Sequence, residues 1–230
     1  MISGPVPHEF SDKPLTGFKT AIPMISAKGE RTAFSGIGVG RKHVYLATDK
    51  AICLNDSKHA VPHALCKCGF YCFQTLDAAR DLTCTPENRE TVLLEVAVSG
   101  RYRRYEQGFR FEKQRVRKVW TGRCKCGRSA EVFIDSGNGS KGWRQLTPCC
   151  LQCADGRPVL TLAKFAELTH EDGLIADVDH QPLCNFVVAD RLASDGMTFS
   201  RGPMFDAELA VLNARVDNLQ GQVERLLDHG

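Results

Sequence analysis

The tetrapeptide Cys-Lys-Cys-Gly occurs twice in this 230-residue chain, at Cys66–Gly69 and at Cys124–Gly127. Two thiols separated by one residue can bind the same metal ion, because the glycine that follows can adopt the positive φ of a tight turn. Each copy therefore supplies half of a tetrahedral site. The repeat predicts two small metal-stabilised modules, and it constrains the fold more than any other feature of the sequence.

The chain has eleven cysteines, and their meaning depends on the compartment. The N-terminus lacks a basic start followed by an apolar stretch, and no run of 18 apolar residues occurs. We therefore expect neither a secretory signal nor a membrane span, and a cytoplasmic location, where thiols stay reduced. The clustered cysteines then favour metal binding over disulfides or simple packing.

The first predicted site lies between residues 53 and 72. Cys66 and Cys68 are its central pair, and Cys53 is the natural third ligand. His59 and His63 compete for the fourth position, and Cys72 is a further thiol after the turn. A closed set of four such ligands is typical of structural zinc, because catalytic zinc keeps one position open.

The second predicted site begins at the second Cys-Lys-Cys-Gly and closes at the Cys-Cys-Leu-Gln-Cys of residues 149–153. A Cys-x-Cys-Gly followed about twenty residues later by Cys-x-x-Cys has the spacing of a zinc ribbon, in which two knuckles share one ion. The predicted ligands are Cys124, Cys126, Cys150 and Cys153, with Cys149 as a spare thiol. Zn²⁺ is thus the expected cofactor at two structural sites.

Six short motifs between about residues 15 and 120 resemble an uncharacterised bacterial, largely actinobacterial, family of zinc-binding type. The matching segments are Thr16–Lys19, Ala51–Cys53, His59–Pro62, Cys66–Cys72, Leu94–Gly100 and Gly108–Glu112. The resemblance implies His59 as the fourth ligand of the first site, because His59 heads the family's His-x-x-Pro element. Val61, Cys72 and the absence of tryptophans from the early strands depart from the family pattern. The family brings no activity with it, so the resemblance informs the site and not the function.

The segment 92–119 predicts a β-hairpin. Val92–Val98 is a strongly apolar strand, and aromatic and charged residues alternate on both sides of Gln107-Gly108. On one face we expect Tyr102, Phe109, Phe111, Val116 and Val119. A ribbon of this kind can follow a phosphate backbone, and Tyr102 or Tyr105 could stack on bases. The candidate nucleic-acid-binding residues are Arg101, Arg103, Arg104, Arg110, Lys113, Arg115, Arg117 and Lys118.

Charge is distributed unevenly along the chain, although the net charge is only +3. Residues 101–153 hold 13 basic and 4 acidic side chains, whereas residues 154–230 hold 6 basic and 13 acidic ones. The basic segment can therefore meet DNA or RNA, with Lys125 or Arg128 adding to the phosphate contacts. Alternatively, it is a solvated surface balanced by the acidic third of the same chain.

Residues 205–227 show the clearest periodicity in the chain. Leu209, Leu212, Val216, Leu219, Val223 and Leu226 follow alternating steps of three and four residues. This heptad pattern, with valine at two of three a positions and leucine at d, favours a parallel two-stranded coiled coil and hence a homodimer. The alternative is a single amphipathic helix that packs on its own domain.

We therefore predict an α+β, mainly β fold in four parts. These are an extended arm (1–14), a zinc-binding β-domain with a basic hairpin (15–120), a zinc-ribbon module with a short acidic helical region (121–198), and a linker with a coiled-coil helix (199–230). No nucleophile–base pair, carboxylate pair or phosphate-binding loop stands out, so we expect no enzyme. The predicted function is a self-associating, nucleic-acid-binding protein, and the alternative is a protein-interaction adaptor or assembly component. No membrane partner is expected.

Overall fold

The computed structural model describes residues 9–37, 43–55, 58–179, 209–216 and 219–220. Strands dominate this part of the chain, and almost all of them pair in antiparallel fashion. The prediction of a mainly β, α+β fold is confirmed. Residues 1–8 of the predicted arm, residues 199–208 of the predicted linker, and Val223 and Leu226 of the predicted heptads lie outside the described residues.

Between residues 9 and 179, the described residues form eleven strands, three short helices and a 3₁₀ turn at Pro86–Asn88, and residues 209–216 and 219–220 are helical. The long strands are β1 (Glu9–Ser26), β6 (Val92–Arg104), β7 (Gly108–Thr121), β8 (Val132–Ser140) and β9 (Trp143–Cys149). The short strands are β2 (Thr32–Ser35), β3 (Val44–Tyr45), β4 (Thr48–Lys50), β5 (Phe70–Phe73), β10 (Val159–Thr161) and β11 (Ile175–Val178). The helices are α1 (Leu76–Thr83), α2 (Leu151–Ala154) and α3 (Leu162–Glu167).

Four strands pair in a closed ring. β1 pairs with β6, β6 with β7, β7 with β5, and β5 returns to β1 where Phe73 lies opposite Phe18. Because the ring is closed, most side chains that point into it are surrounded by other apolar side chains. The main core fills this ring and extends beyond it. The ring carries the first cysteine pair, because β5 begins directly after Gly69.

The far half of β1 belongs to a second group of strands. Its residues 22–26 pair with β2 and β9, while β8 joins β9 to β10. The parallel strand β11 also returns from residues 175–178 to the end of β7. These pairings join the predicted 15–120 and 121–198 units into one sheet, and residues 9–11 of the predicted arm pair with β6.

The predicted hairpin is confirmed. β6 and β7 pair along their length, and the Tyr105 N–H donates to the Gly108 carbonyl across the turn. All five apolar residues predicted to share a face are buried. Irregular register between Glu95 and Val96, and between Ser99 and Tyr102, changes which side chains face inward along the two strands.

From sequence, Thr75 is the expected N-cap of a short helix at Leu76–Leu82, and the apolar pattern of Val159–Leu168 predicts a second helix. Thr75 caps α1 by accepting a hydrogen bond from the Ala78 N–H, as predicted. The helix predicted over Val159–Leu168 begins only at Leu162, because Val159–Thr161 pairs with β8. Among the described helices, none is long and apolar enough to cross a bilayer.

Candidate metal centres and basic surface

The first predicted ligand set comes together in space. Ligand atoms of Cys53, His59, Cys66 and Cys68 all lie within 4.8 Å of one another. The Cys53 and Cys66 sulfurs are 3.7 Å apart, and the Cys68 sulfur is 3.8 Å from His59 Nδ1. These four residues could hold one metal ion.

The chain reaches this cluster through the end of β4 and the turn before β5. Gly69 has φ +122°, a backbone conformation that a side chain would strain, so the predicted role of this glycine is confirmed. Phe70 then enters the core as the first residue of β5. The Cys-x-Cys-Gly turn is thereby fixed to the strand that follows it.

His59 rather than His63 contributes to the cluster. The His63 ring lies beside the His59 ring, with centroids 4.5 Å apart, and its Nδ1 accepts the Leu65 N–H. Burial lowers the pKa of His63, and the neighbouring His59 lowers it further. His59 Nε2 is buried without a hydrogen-bond partner among the described residues, which suits a nitrogen near a metal ion.

Cys72 points away from the cluster and packs inside the ring of strands. It is 1% exposed, and its sulfur lies so close to the backbone of Gly17 that a Cβ there would have no room. Burial raises the pKa of the Cys72 thiol to about 12, partly offset by the nearby Lys19. Cys72 is therefore a packed thiol.

Arg110 holds the first cluster onto the sheet. Its side chain is fully buried, and its guanidinium donates to the carbonyls of Cys66 and His63, the latter at 2.8 Å. Both carbonyls belong to the loop that carries the central cysteine pair. A buried cation bonded to the loop that carries Cys66 and Cys68 also offers charge compensation if those thiols ionise.

The second predicted ligand set also comes together. Ligand atoms of Cys124, Cys126, Cys150 and Cys153 lie within 4.8 Å of one another, and the Cys126 and Cys150 sulfurs are 3.5 Å apart. The first pair lies in a tight turn in which the Cys124 N–H donates to the Arg128 carbonyl at 2.7 Å. The second pair lies where β9 ends and α2 begins. This group could hold a second metal ion.

Two further cysteines, Cys149 and Cys84, are not part of either ligand group. Cys149 is buried in β9 opposite Val132 and is not among the four grouped ligands. Burial raises the pKa of its thiol, as does the nearby Cys124. Cys84, which stands alone in the sequence, is disulfide-bonded.

Two of the eight candidate nucleic-acid-binding residues are not available to a phosphate. Arg110 is fully buried under the first cluster, and Arg103, which lies opposite it on β6, is only 7% exposed. The alternation of residue types along the two strands predicted one exposed basic face. It could not predict that a loop covers this part of β6 and β7. We therefore remove Arg103 and Arg110 from the predicted set.

The aromatic residues predicted to stack on bases are also engaged. Tyr102 is buried, and its hydroxyl donates to Glu9 at 2.7 Å. Tyr105 is half-buried, and burial raises the pKa of its hydroxyl. The hairpin turn thus offers less to a nucleic acid than its sequence indicates.

Four other candidate cations form ion pairs. Arg101 contacts Glu112 at 3.3 Å and Arg115 contacts Glu171 at 2.6 Å, while longer contacts join Arg104 to Glu9 and Lys118 to Glu95. Glu171 belongs to the acidic part of the chain, which therefore neutralises some of the basic segment. For Arg115 the alternative prediction is therefore correct, because its charge is balanced by the acidic part of the same chain.

Lys113 and Arg117 are exposed and form no ion pair with any residue that the structure describes. Together with Lys50 and Arg115 they line one groove. The sequence alone did not predict this groove, because β4 lies far from β7 in the chain.

Burial alone would raise the pKa of Glu112, yet hydrogen bonds from Arg101 and Lys50 outweigh this effect and lower the pKa to about 2. Glu112 thus remains a carboxylate that holds β4 and β6 against β7.

The C-terminal helix, residues 209–216 and 219–220, packs one face on the protein and exposes the opposite face. Val211 is 1% exposed, Ala210 and Ala214 are half-buried, and Arg215 donates to the Leu65 carbonyl at 3.3 Å. The predicted heptad positions face outward: Leu209, Leu212, Val216 and Leu219 are 45–59% exposed. The docked face is therefore not the heptad face.

No family model, curated protein or solved structure matches this chain. The resemblance to the actinobacterial zinc-binding family stays a prediction, because no match is available to support it.

Proposed function

We propose that both clusters bind Zn²⁺ as structural ions. Cysteine thiolates and imidazole nitrogen are preferred zinc ligands, and each cluster has four of them. A tetrahedral site with zinc–sulfur bonds of about 2.3 Å has sulfurs about 3.8 Å apart. The separations of 3.7 Å in the first cluster and 3.5 Å in the second are near that value.

Metal analysis of the full chain tests the zinc proposal. Protein purified without chelator should carry two zinc ions per chain, and Co²⁺ substitution should give the absorption of thiolate-bound, four-coordinate cobalt at both sites. A metal-free chain whose thermal unfolding is unchanged by added zinc would overturn the proposal. A cobalt spectrum without four-coordination would instead indicate an open, catalytic type of site.

We further propose that the protein is a non-enzymatic binding protein that self-associates through its C-terminal helix. The observation that carries this proposal is the outward orientation of Leu209, Leu212, Val216 and Leu219, while the opposite face packs on the protein. A helix that served only to cover its own domain would place these four apolar residues inward. A second copy of the same heptad face is a matching partner.

Sedimentation equilibrium of the full chain tests self-association. The wild type should be a dimer at micromolar concentration, and Leu212→Glu with Leu219→Glu should be a monomer. Asn213→Glu is the matched control, because Asn213 is also exposed on this helix but lies outside the heptad seam. A monomeric wild type would contradict the proposal.

Nucleic-acid contact is the second part of the proposed function. It is supported by the exposed cations Lys113 and Arg117 on the middle of β7, rather than by the hairpin turn. The alternative is a protein-interaction adaptor with no nucleic-acid role. In that case removal of residues 204–230 should abolish the complex, whereas Lys113→Glu with Arg117→Glu should leave it intact.

A further inference from the structure

A groove of about 520 Å³ crosses the outer surface of β7. Its floor and walls include Lys50 from β4, Ser99 from β6, and Lys113, Arg115 and Arg117 from β7. The pairing of Lys50 with Lys113 and of Thr48 with Arg115 places β4 along one side. Cations from two distant parts of the chain therefore line the same groove.

The four cations of this groove are not equivalent. Lys50 contacts Glu112 at 3.1 Å, and Arg115 contacts Glu171 at 2.6 Å and donates to the Asp172 carbonyl at 3.0 Å. Lys113 and Arg117 form no such pairs with the described residues. An anion in the groove would gain most from these two, because their charges are not already compensated.

The spacing of Lys113 and Arg117 suits a polymer of phosphates better than one phosphate. Four residues along a strand span about 13 Å, so the two side chains would contact different phosphate groups of an extended chain. The carboxylates of Asp49 and Asp172 also line the groove and would repel a compact, highly charged anion. A backbone that touches the groove at two separated points avoids much of that repulsion.

The groove offers no means of identifying bases by stacking. None of the described residues that line it is aromatic, whereas proteins that stack on single-stranded bases use exposed aromatic rings. The contacts available are cations and hydroxyl groups, which bind phosphate and sugar. The geometry therefore favours recognition of the backbone without recognition of sequence.

We propose that this groove binds the phosphate backbone of single-stranded nucleic acid, with Lys113 and Arg117 as its two phosphate contacts. This inference rests on the proposed nucleic-acid contact and specifies where and how it occurs. Because the two cations lie in a groove bordered by β4, a flexible single strand can follow it more readily than a rigid duplex. Lys50 and Arg115, already paired with carboxylates, act as its walls.

The salt dependence of binding depends on how many phosphates the groove contacts. For single strands the slope of log K against log salt is about −0.7 for each phosphate contacted, so two contacts give about −1.4. The eight cations predicted from sequence would give about −5.6 on the same basis. A measured slope therefore separates the groove from the full basic segment.

Fluorescence anisotropy with labelled 12-nucleotide single strands tests the proposal on the full, metal-bound chain. The wild type should bind mixed and homopolymeric sequences equally, with a slope near −1.4. Lys113→Gln with Arg117→Gln should bind at least about fivefold more weakly at low salt and lose most of the slope. Lys28→Gln with Lys141→Gln is the matched control, because both lysines are exposed near turns of the second group of strands. It should bind as the wild type does.

Different results would show that the groove is the wrong surface and that the protein does not contact nucleic acid at all. If the wild type binds but Lys113→Gln with Arg117→Gln binds equally well, the groove is the wrong surface and nucleic-acid contact stands. If the wild type does not bind at low salt, nucleic-acid contact itself is overturned. Equal or tighter binding of a duplex of the same length would overturn the assignment to single strands.

Discussion

The two Cys-x-Cys-Gly turns have the same local form and different surroundings. In the first, Cys66 and Cys68 belong to the main core, together with side chains of the strand ring such as Phe70 and Phe111. In the second, Cys124 belongs to a separate small cluster that includes Val132 and Ile134. The second turn also leaves Cys126 exposed.

The glycines show the same contrast. A Cβ on Gly69 would meet the Arg110 side chain at 3.0 Å and the Phe111 carbonyl at 3.3 Å, whereas a Cβ on Gly127 would meet nothing within 4 Å. Both glycines have positive φ. Identical short motifs therefore set the ligand geometry, while residues distant in sequence decide how strongly each centre is coupled to the fold.

Loss of one metal ligand from each centre should break this comparison most sharply. Cys66→Ser should destabilise the whole strand ring by at least about 4 kcal/mol, because the ion and its loop are part of the main core. Cys150→Ser should loosen only the two metal-binding turns near residues 122–129 and 149–154, since β8 and β9 between them stay paired with β10 and β1. Hydrogen exchange followed by mass spectrometry measures both.

Cys149→Ala is the control for the second centre, because Cys149 is buried nearby without being one of the grouped ligands. It should retain two metal ions. Equal loss of protection across the sheet in Cys66→Ser and Cys150→Ser would show that the two centres are coupled to the fold alike.

Arg110→Met should have the next largest effect. The substitution removes the donors to the His63 and Cys66 carbonyls. The His63 carbonyl keeps only the Cys66 N–H at 3.3 Å, and the loss should cost about 2–4 kcal/mol. Chelator competition should show faster metal release from the first centre and an unchanged rate from the second. Urea unfolding measures the loss of stability.

Arg104→Met is the matched control for this prediction. Arg104 is half-exposed, and its ion pair with Glu9 is long at 3.8 Å, so its removal should cost less than about 1 kcal/mol. Similar destabilisation by both substitutions would mean that Arg110 does not anchor the loop.

The glycines allow a direct comparison of the two turns. Gly127→Ala should cost about 1 kcal/mol, because only the backbone conformation is strained. Gly69→Ala should cost about 2–3 kcal/mol, because the new Cβ must also displace its neighbours. Thermal unfolding of the two variants gives the difference, and equal costs would contradict the contrast in packing.

Lys19→Met should have a small effect of the opposite sign. The Lys19 ammonium lies 5.0 Å from the centre of the Phe70 ring, and burial lowers the pKa of this amine from 10.5 to about 8. Below pH 8 the folded protein carries the full cost of a buried charge, and this cost is relieved as the pH rises from 8 towards 10.5. The substitution should therefore stabilise the protein by about 1–2 kcal/mol at pH 7.

Urea unfolding of wild type and Lys19→Met at pH 7 and pH 9.5 measures this effect. The stability difference should shrink at the higher pH. A difference that is constant or grows with pH would show that the buried amine is not the cause.

Short-range patterns in the sequence predicted the features that depend on short-range geometry. Cys66 with Cys68, Cys124 with Cys126, and Cys150 with Cys153 each lie within one turn of chain, so spacing alone pairs them. The hairpin and the Thr75 cap are equally local, since each depends on residues a few positions apart.

The features that the sequence did not predict depend on distant partners. Arg110 resembles a surface cation of an alternating strand, and only the loop that packs over it makes it a buried anchor. Val159–Thr161 resembles the first turn of a helix, but pairing with β8 makes it a strand. Nothing near Ile175–Val178 indicates that this segment lies parallel to β7, more than fifty residues earlier.

The pairing of β1 has a consequence for the order of events during synthesis. β1 is completed at residue 26, yet its partners β6 and β9 follow only at residues 92–104 and 143–149. Contacts of such long sequence separation slow folding. Although the end of β1 can pair with β2 as soon as residue 35 is made, its longer pairings must wait while most of the chain is synthesised. The ligands of the first centre span only residues 53–68, so this loop can close before β6 is made and shorten the distance that β1 must search.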